Sequence, residues 1–593
     1  MNSIPQRLVL LRNQMKKAGV QACIIPGTDP HASEYIADYW KEREWISGFA
    51  GSAGTVVVSL KAAALWTDSR YFLEAGTILE GTSIELMKMG LPETPSMISW
   101  IARHLEPGAH VAINPQMISA TGILSMREEL KMSGIELKAI DLIQSVWTER
   151  PALPKNPVFI FDVEKSGASC IEKTEKVREE MKKAFADVLI ITGLDEIAWL
   201  FNIRGKDVAY NPVAIAAAMV GPDFLTLFID TDKVDSVTEK YFASQGVSIE
   251  PYEYLRKAVS QIQTDSIVMI DGTKLNYELR ESIPASCKIV NQMSPVSKLK
   301  SIKNQVELKG FRKAMIKDGV ALTKFFIWLE ENIPSGAVTE LSIAQKLYEF
   351  REQQGDFFGE SFGTIAGYAD HGAIVHYRAE QSKAYHIKPE NILLVDSGGQ
   401  YYDGTTDITR TITLGKTTPQ QKNDFTLVLK GHIGIATAVF PVGTRGSQLD
   451  ILARKCMWDR KMNYGHGTGH GIGHFLNVHE GPQSIRAEEN SVTLQPGMIL
   501  SNEPGMYRAG QYGMRTENLI HVIEAGDAGF GQFLCFETLT WFPIDLNLVE
   551  TDMLTVQEKS WLNKYHHKVY VHIAPYLNEK EKGWLKNKTR GIH

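Results

Sequence analysis

Four histidines lie between Gly465 and His479, in the segment Gly-His-Gly-Thr-Gly-His-Gly-Ile-Gly-His-Phe-Leu-Asn-Val-His. Glycine alternates with histidine in its first half, and glycine adds backbone entropy without a side chain. This spacing therefore suits neither a packed helix nor a central strand, but it allows imidazoles to crowd around one point. Because imidazole is the commonest neutral metal ligand and transfers protons near pH 7, the segment predicts a metal or acid–base site.

Four carboxylates accompany this segment in patterned surroundings. Asp396 ends the apolar run Ile-Leu-Leu-Val, and Asp407 precedes the β-branched run Ile-Thr-Arg-Thr-Ile-Thr. The arrangement recurs with Glu503, after Met-Ile-Leu-Ser-Asn, and Glu517, before Asn-Leu-Ile-His-Val. Each pair predicts two paired strands, with Glu517 in mid-strand. A buried acid needs a partner or a metal, so these four acids and one histidine predict the ligand set of a two-cation hydrolase.

The histidines are expected to divide their roles. His470, at the centre of the Gly-rich segment, is the predicted imidazole ligand, with His466 and His479 expected to support it or to face the substrate. His376, after Ala-Ile-Val, is expected to end a strand and to donate to an oxyanion. Any one of them, taken alone, could equally be a hydrogen-bonded structural imidazole. That structural interpretation is kept for His371, His386, His432, His474 and His521.

Carboxylate-rich donors with one imidazole favour Mn²⁺, Co²⁺ or Zn²⁺ over copper or an iron–sulfur cluster. The composition is ordinary for a soluble globular protein, since 44% of residues are hydrophobic, 22% are charged and the net charge is −6. The mixed charge argues against a nucleic-acid partner. The five cysteines are far apart and are expected to be reduced core residues.

No membrane or export segment is expected. The longest uninterrupted apolar run, Val213 to Val220, is far shorter than the roughly 20 residues of a membrane helix. The N-terminal apolar run is interrupted by Arg7 and Arg12, unlike a secretory signal. These observations predict a cytoplasmic protein without a membrane partner.

Two segments of the chain are alike. Residues 12–29 and 178–195 both contain Met-Lys-Lys-Ala, followed by an apolar run and a Gly-containing turn. The matched order of elements predicts a duplicated α/β domain with a mixed sheet. Three prolines in Pro151–Pro157 predict a linker, and residues 303–330 have the spacing of a long amphipathic helix. The predicted domains are residues 1–152, 153–300 and 301–593.

In this order the motifs resemble the creatinase/methionine-aminopeptidase superfamily and, within it, the long three-domain Xaa-Pro aminopeptidases. The catalytic motifs are Leu394-Val-Asp-Ser-Gly-Gly, Asp403-Gly-Thr-Thr-Asp, the Gly/His segment, Ser501-Asn-Glu-Pro-Gly and Arg515-Thr-Glu-Asn. Ser33-Glu-Tyr, Ser47-Gly-Phe-Ala-Gly and Leu65-Trp-Thr-Asp-Ser-Arg-Tyr match the same branch. The resemblance spans nearly the whole chain.

The resemblance implies an α/β (α+β) fold, with two related creatinase-type N-terminal domains before a "pita-bread" catalytic domain. It implies a homodimer that hydrolyses the bond between an unblocked N-terminal residue and a following proline. It also implies two Mn²⁺ ions and three substrate-site histidines, His376, His466 and His479. The implied metal ligands are Asp396, Asp407, His470, Glu503 and Glu517.

The expected reaction is attack on the scissile carbonyl by a hydroxide that bridges the two cations. Glu503 is expected to carry the proton to the departing proline nitrogen, while His376 and His479 donate to the tetrahedral intermediate. Asp396 is also placed to meet the substrate's ammonium group. Arg70 is expected either to reach the substrate or to form an ordinary salt bridge.

Three alternatives remain open at this point. A prolidase would cleave only Xaa-Pro dipeptides, and a creatinase-like enzyme would work without metal. A non-catalytic, peptide-binding relative would keep the fold and lose the ligands. The five intact ligand positions argue against the last two.

Overall fold

The computed structural model describes residues 3–593, which divide into two compact units. The first unit comprises the described residues up to Val163 together with Ala168–Lys298. The second comprises Glu164–Gly167 and Leu299–His593. The predicted boundaries at residues 152 and 300 stay predictions. No helix among residues 3–593 has both the length and the apolar character needed to cross a membrane.

Helices and strands alternate through the first part of the chain. In chain order they are α1 (Ile4–Lys17), β1 (Ala22–Pro26), α2 (Glu42–Ser47), β2 (Thr55–Ser59), β3 (Ala63–Thr67), α3 (Phe72–Leu79), β4 (Glu85–Lys88), α4 (Met97–His104), β5 (His110–Ile113), α5 (Ala120–Lys131), β6 (Glu136–Ala139), β7 (Phe159–Ile160), α6 (Val163–Ser166), α7 (Cys170–Lys183), β8 (Val188–Ile191), α8 (Leu194–Leu200), β9 (Ile203–Arg204), β10 (Ala216–Val220), β11 (Leu225–Ile229), α9 (Ser236–Ser244), β12 (Ser248–Glu250), α10 (Leu255–Ser260), β13 (Ile267–Ile270), α11 (Tyr277–Ser282), β14 (Lys288–Asn291) and α12 (Pro295–Ser301).

The remaining part has longer helices and more antiparallel strands. Its elements are α13 (Gln305–Asn332), α14 (Glu340–Glu352), β15 (Phe357–Glu360), β16 (Ile365–Tyr368), β17 (Ile392–Ser397), β18 (Gly399–Tyr401), β19 (Gly404–Thr405), β20 (Ile408–Thr413), α15 (Pro419–Ala436), β21 (Val439–Pro441), α16 (Gly446–Trp458), β22 (Gly469–Gly471), β23 (Glu480–Ile485), β24 (Ile499–Asn502), β25 (Gly505–Arg508), β26 (Tyr512–Arg515), β27 (Asn518–Asp527), β28 (Gln532–Thr538), α17 (Val556–Ile573) and α18 (Glu579–Lys588).

Two sheets of the first unit have the same topology. Their orders are β4-β3-β2-β1-β5-β6 and β12-β11-β10-β8-β13-β14. Strands β2 and β10 run antiparallel to both neighbours, and every other neighbouring pair is parallel. The repeated Met-Lys-Lys-Ala segments end α1 and α7, which lead into the equivalent strands β1 and β8. The mixed α/β fold with two related N-terminal domains is therefore confirmed.

The second unit is built from helices packed on antiparallel sheets. One sheet has the order β16-β17-β20, and a larger one has the order β21-β28-β27-β24-β22-β23. The strand that ends near Asp396 pairs with the strand after Asp407, and β24, before Glu503, pairs with β27, after Glu517. The sequence predicted both pairings, and both are confirmed.

Long helices cover the two sheets. Asn304 begins α13 by accepting hydrogen bonds from the backbone N–H groups of Val306 (2.9 Å) and Glu307 (3.0 Å), which confirms the predicted long helix. Phe325 and Leu329 of α13 pack with α14 on the apolar face of β17. Each such burial stabilises the fold by about 1.5–3 kcal/mol. Helices α15 and α16 cover β24 and β27 in the same way.

The Gly/His segment differs from its prediction. Gly469–Gly471 forms β22, which lies between β23 and β24 in the larger sheet. A Cβ on Gly469 would lie 2.0 Å from the carbonyl oxygen of Ser501, and one on Gly471 would lie 2.2 Å from that of Glu480. The glycines therefore permit a central strand here, because they let the neighbouring backbones approach.

Two further local predictions were wrong. His376 does not end a strand, because Ala369–Ala373 forms a 3-10 turn and His376 follows it in a second turn. Glu517 is not in mid-strand, because it lies between β26 and β27. Its backbone N–H donates to the carbonyl oxygen of Thr409 (3.1 Å). The chain thus changes hydrogen-bonding partner at Glu517, where β27 begins its pairing with β24.

Candidate metal centre and active site

Strand ends bring the five predicted ligands together in the second unit. Asp396 lies in β17, and Asp407 lies one residue before β20. Glu503 follows β24 directly, and Glu517 directly precedes β27. His470 lies in β22, next to β24. Two pairs of antiparallel strands and one short strand thus supply all five side chains.

His470 faces two of the acids. Its Nε2 lies 3.4 Å from Asp407 Oδ2 and 3.5 Å from Glu503 Oε1. Its Nδ1 donates to the carbonyl oxygen of Gly471 at 3.0 Å, which leaves Nε2 directed at the acids. Burial alone would lower the pKa of His470, but the hydrogen bond to Asp407 and the charge of Glu503 outweigh it and raise that pKa to about 9.

The carboxylates crowd in a buried space. Burial raises the pKa values of Asp396, Glu503 and Glu517 above their ordinary range, although the charge of Arg515 opposes each rise. Repulsion among the acids adds to the effect, since the charge of Asp407 raises the pKa of all three. Acids arranged in this way destabilise one another unless a cation or protons neutralise them.

The donor atoms fit divalent cations. Asp407, His470 and Glu517 each offer a ligand atom, and the three atoms lie within 4.8 Å of one another. Asp396 Oδ1 is buried and accepts no hydrogen bond from any residue between 3 and 593. The hydroxyl of Thr409, across the strand pair, donates to Glu517 Oε2 at 2.7 Å instead. Carboxylate oxygens with one imidazole nitrogen are suitable ligands for Mn²⁺, Co²⁺ or Zn²⁺.

The three other predicted histidines are connected to this site by different contacts. The ring of His479 meets that of His470 edge-on, with centroids 4.3 Å apart. His466 contacts the hydroxyl of Tyr507, with 2.8 Å between Nε2 and the oxygen. His376 follows Val375, whose carbonyl oxygen accepts a hydrogen bond from Arg515 Nη2 (3.4 Å). All three are half-buried.

Arg515 and Tyr507 join His466 to Asp396, a connection that the sequence did not predict. Arg515 Nη2 donates to Asp396 Oδ2 (2.5 Å), and Arg515 Nη1 donates to Tyr507 (2.5 Å). His466 Nδ1 donates to the carbonyl oxygen of Gly467 (2.7 Å), so its Nε2 accepts the proton of Tyr507. A continuous chain of hydrogen bonds therefore runs from Asp396 to His466. Arg515 stands in a recognised motif, but nothing local singles out Tyr507.

Helix α16 holds the loop before β22. Arg454 donates to the carbonyl oxygens of Tyr464 and His466, both at 2.8 Å. Asp450 accepts the hydroxyl proton of Thr468 (2.5 Å) and pairs with Arg454 (2.6 Å). Asp450 and Arg454 are four residues apart, the spacing of an ion pair on one helix face, and this is a sequence signal that could have identified the support.

Arg70 belongs to the first unit, where it forms two hydrogen bonds with Asp68. Arg70 Nε lies 2.9 Å from Asp68 Oδ1, and Nη2 lies 2.7 Å from Oδ2. This is the ordinary salt bridge that the sequence allowed. A role for Arg70 toward substrate stays a prediction.

Family profiles match nearly the whole chain. The profile of metallopeptidase family M24 matches residues 309–524, and that of the family's C-terminal region matches residues 532–592. Two profiles of the creatinase/prolidase N-terminal domain match residues 7–146 and 149–307.

Full-length relatives give the same assignment. A probable Xaa-Pro aminopeptidase P of Laccaria bicolor is 41% identical over 98% of this chain and 92% of its own length. One of Coprinopsis cinerea is 41% identical over 99% of this chain and 98% of its own. The crystal structure of X-prolyl aminopeptidase from Caenorhabditis elegans is described as that of a cytosolic enzyme with a di-nuclear active site. It matches with a TM-score of 0.96 and 35% identity over 100% of both chains.

The fold, the strand-end acids around His470 and these full-length matches agree. The chain belongs to metallopeptidase family M24, in the branch whose members are named Xaa-Pro aminopeptidase P.

Proposed function

We propose that this protein is a metal-dependent Xaa-Pro aminopeptidase, which releases an unblocked N-terminal residue from peptides with proline in second position. The observation that carries the proposal is the group of Asp407, His470 and Glu517, two buried acids and a half-buried histidine whose ligand atoms lie within 4.8 Å of one another. It occurs in a chain 41% identical, over nearly its full length, to relatives named for this reaction.

The proposed cofactor is a pair of divalent cations, with Mn²⁺ as the first choice. Asp396, Asp407, His470, Glu503 and Glu517 would hold them. The di-nuclear site described for the Caenorhabditis elegans enzyme supports the number two. The cations would supply activation of water at neutral pH and electrostatic stabilisation of the developing oxyanion.

Glu503 is the proposed proton carrier. Burial raises its pKa above the ordinary range of a glutamate, and Ser501 Oγ donates to its Oε1 at 3.2 Å. A carboxylate of raised pKa accepts a proton from water more readily and can then donate it. The departing proline nitrogen requires that proton, because a secondary amine leaves poorly as an anion.

The histidines are proposed to bind the reacting group. His479, beside His470, and His376 would donate hydrogen bonds to the tetrahedral intermediate and line the proline pocket. The loss of one such donor typically costs on the order of 10²-fold in rate. His466 would act through its hydrogen bond with Tyr507, which continues to Arg515.

The proposal also includes a homodimer located in the cytoplasm. The family resemblance implies the dimer, and the cytosolic description of the Caenorhabditis elegans enzyme supports the location. The three-part division at residues 152 and 300 belongs to the same proposal. The profile matches at residues 7–146 and 149–307 are in keeping with it.

Substrate length provides the test of the reaction. The Mn²⁺-loaded protein should release arginine from Arg-Pro-Pro but not from N-acetyl-Arg-Pro-Pro or Arg-Ala-Pro. Acetylation removes the free amine, and alanine removes the proline recognised after the scissile bond. Cleavage of Arg-Pro alone, with Arg-Pro-Pro left intact, would identify a prolidase instead. Failure to cleave either peptide, with cations still bound, would identify a binding protein.

A further inference from the structure

A buried glutamate lies at the start of α14, away from the proposed ligands. Glu340 is fully buried (0% exposed). Its Oε1 accepts from the backbone N–H of Tyr368 (3.0 Å), and its Oε2 accepts from the Tyr377 hydroxyl (2.8 Å) and the backbone N–H of Tyr385 (2.8 Å). His371 Nδ1 lies 3.0 Å from both oxygens. One carboxylate thus binds four points of the segment 368–385.

Ring stacking reinforces these hydrogen bonds. The ring of His371 lies 3.8 Å from that of Tyr385, and the two planes are 7° apart. The ring of His371 also stacks on that of Tyr377, with the two centroids 4.5 Å apart and the two planes 27° apart. We call Glu340, His371, Tyr377 and Tyr385 the Glu340 clamp.

The clamp holds the chain on either side of His376. Tyr377 follows His376 directly and is hydrogen-bonded to Glu340. Val375 precedes it, and the carbonyl oxygen of Val375 accepts from Arg515, which also binds Asp396. Close packing fixes the start of the segment, because a Cβ on Gly513 would lie 1.7 Å from the carbonyl oxygen of Gly372.

A turn without regular secondary structure needs such external support to hold a donor in place. His376 lies in a turn and has no strand hydrogen-bonding ladder to fix its backbone. A misplacement of about 1 Å can cost on the order of 10²-fold in rate. An unpaired buried carboxylate would be costly, and Glu340 avoids that cost because its two oxygens bind four groups of this segment.

We propose that Glu340 is a positioning residue for His376, acting through the clamp. This inference rests on the proposed function, in which His376 donates to the tetrahedral intermediate. Glu340→Gln keeps the shape of the side chain but replaces one acceptor oxygen with a donor, so the clamp cannot bind all its partners. Tyr377→Phe is a milder change, which removes one hydroxyl and retains the stacked ring.

The kinetic experiment measures Arg-Pro-Pro hydrolysis by Mn²⁺-loaded protein. Glu340→Gln should lower kcat about 10-fold with little change in KM, as expected when an interaction of the transition state is lost. Tyr377→Phe should lower kcat about 3-fold. The control is Glu349→Gln, which should leave both parameters unchanged, because Glu349 is a half-buried acid of the same helix that pairs with Lys346.

A double-mutant cycle separates positioning from general damage. In a His376→Ala background, Glu340→Gln should cost less than about 2-fold in kcat, because the group it positions is gone. In a His479→Ala background it should cost about the same 10-fold as in the wild type. Equal losses in all three backgrounds would overturn the inference, since they would show that Glu340 does not act through His376.

Amide hydrogen exchange gives a readout independent of activity. Glu340→Gln should speed exchange in peptides covering residues 369–385 and leave β17, β24 and the metal content unchanged. Unchanged exchange in residues 369–385 would overturn the inference even in an active enzyme. A wild-type protein that cleaves no Xaa-Pro peptide would instead refute the proposed function, and the exchange experiment would still decide whether the clamp exists.

Discussion

Single side chains in this site depend on partners far away in the sequence. Tyr507 accepts from Arg515 and donates to His466, and Arg515 in turn binds Asp396, 119 residues earlier. Burial raises the pKa of Tyr507 to about 12, although Arg515 opposes the rise. The phenol therefore stays protonated at neutral pH and can act as the donor to His466.

Tyr507→Phe tests this chain of hydrogen bonds. The variant keeps the ring and loses the hydroxyl, so Arg515 and His466 lose their common partner. We expect kcat/KM for Arg-Pro-Pro to fall about 10-fold, because a hydrogen bond to a charged group contributes about 1.5 kcal/mol. Metal content should not change. Tyr576→Phe, at a residue 60% exposed, is the matched control. Activity equal to that of the control would contradict the role of Tyr507.

At the level of elements, the site depends on strands that approach unusually closely. The short strand β22 carries His470 and fits between β23 and β24 only because its glycines lack side chains. Helix α16 then fixes the preceding loop through Arg454. The strand and the loop together determine where His470 and His466 point.

Gly471→Ala should disturb this arrangement. The new Cβ would lie 2.2 Å from the carbonyl oxygen of Glu480 and 2.4 Å from the side-chain nitrogen of Gln483, so β22 and β23 must separate. Overpacking of this kind costs about 1–3 kcal/mol of unfolding free energy. We also expect weaker Mn²⁺ binding, measured by titration calorimetry, because His470 is the neighbouring residue. Gly359→Ala, where nothing lies within 4 Å of the added atom, is the control. Equal stability and affinity in both variants would rule out this explanation of the glycines.

Much of the arrangement was predictable because it is local in sequence. Apolar runs that end in Asp396 or Glu503 indicate strands ending in acids, and the structure has those strands. The turn at His376 and the strand at Gly471 were mispredicted, because the deciding contacts come from Glu340, β23 and β24. Tyr507 and Glu340 were missed for the same reason. Their partners lie in elements that the sequence does not show to be adjacent.

In the whole molecule, the buried acids make the free energy of unfolding depend on pH and on bound cations. Asp396, Glu503 and Glu517 have raised pKa values because of burial, and the pKa of His470 is raised to about 9 by its acidic neighbours. A group whose pKa is raised on folding stabilises the fold below its unfolded pKa. That stability is lost as the pH rises through the folded pKa. The metal-free protein should therefore lose stability between about pH 6.5 and pH 9 as His470 deprotonates.

This linkage predicts how cations stabilise the protein. Mn²⁺ competes with protons for the same atoms, so the difference in Tm between loaded and metal-stripped protein should grow from pH 6 to pH 9. At a free Mn²⁺ concentration of 100 times Kd, binding adds about 2.7 kcal/mol to the free energy of unfolding, which is enough to raise Tm by several degrees. Differential scanning calorimetry at pH 6.0, 7.5 and 9.0 measures this difference in Tm. Asp407→Asn is the variant expected to lose it. A Tm difference that is largest at pH 6 would contradict competition between Mn²⁺ and protons for the same atoms.

Metal dependence is tested most directly by arginine release from Arg-Pro-Pro by metal-stripped protein, before and after addition of Mn²⁺. We expect no release without the cation, and restored release with it. Glu517→Gln, in which a predicted ligand is lost, should recover little activity at the same Mn²⁺ concentration. Arginine release by fully stripped protein, or no release after Mn²⁺ has bound, would contradict a metal-dependent Xaa-Pro aminopeptidase.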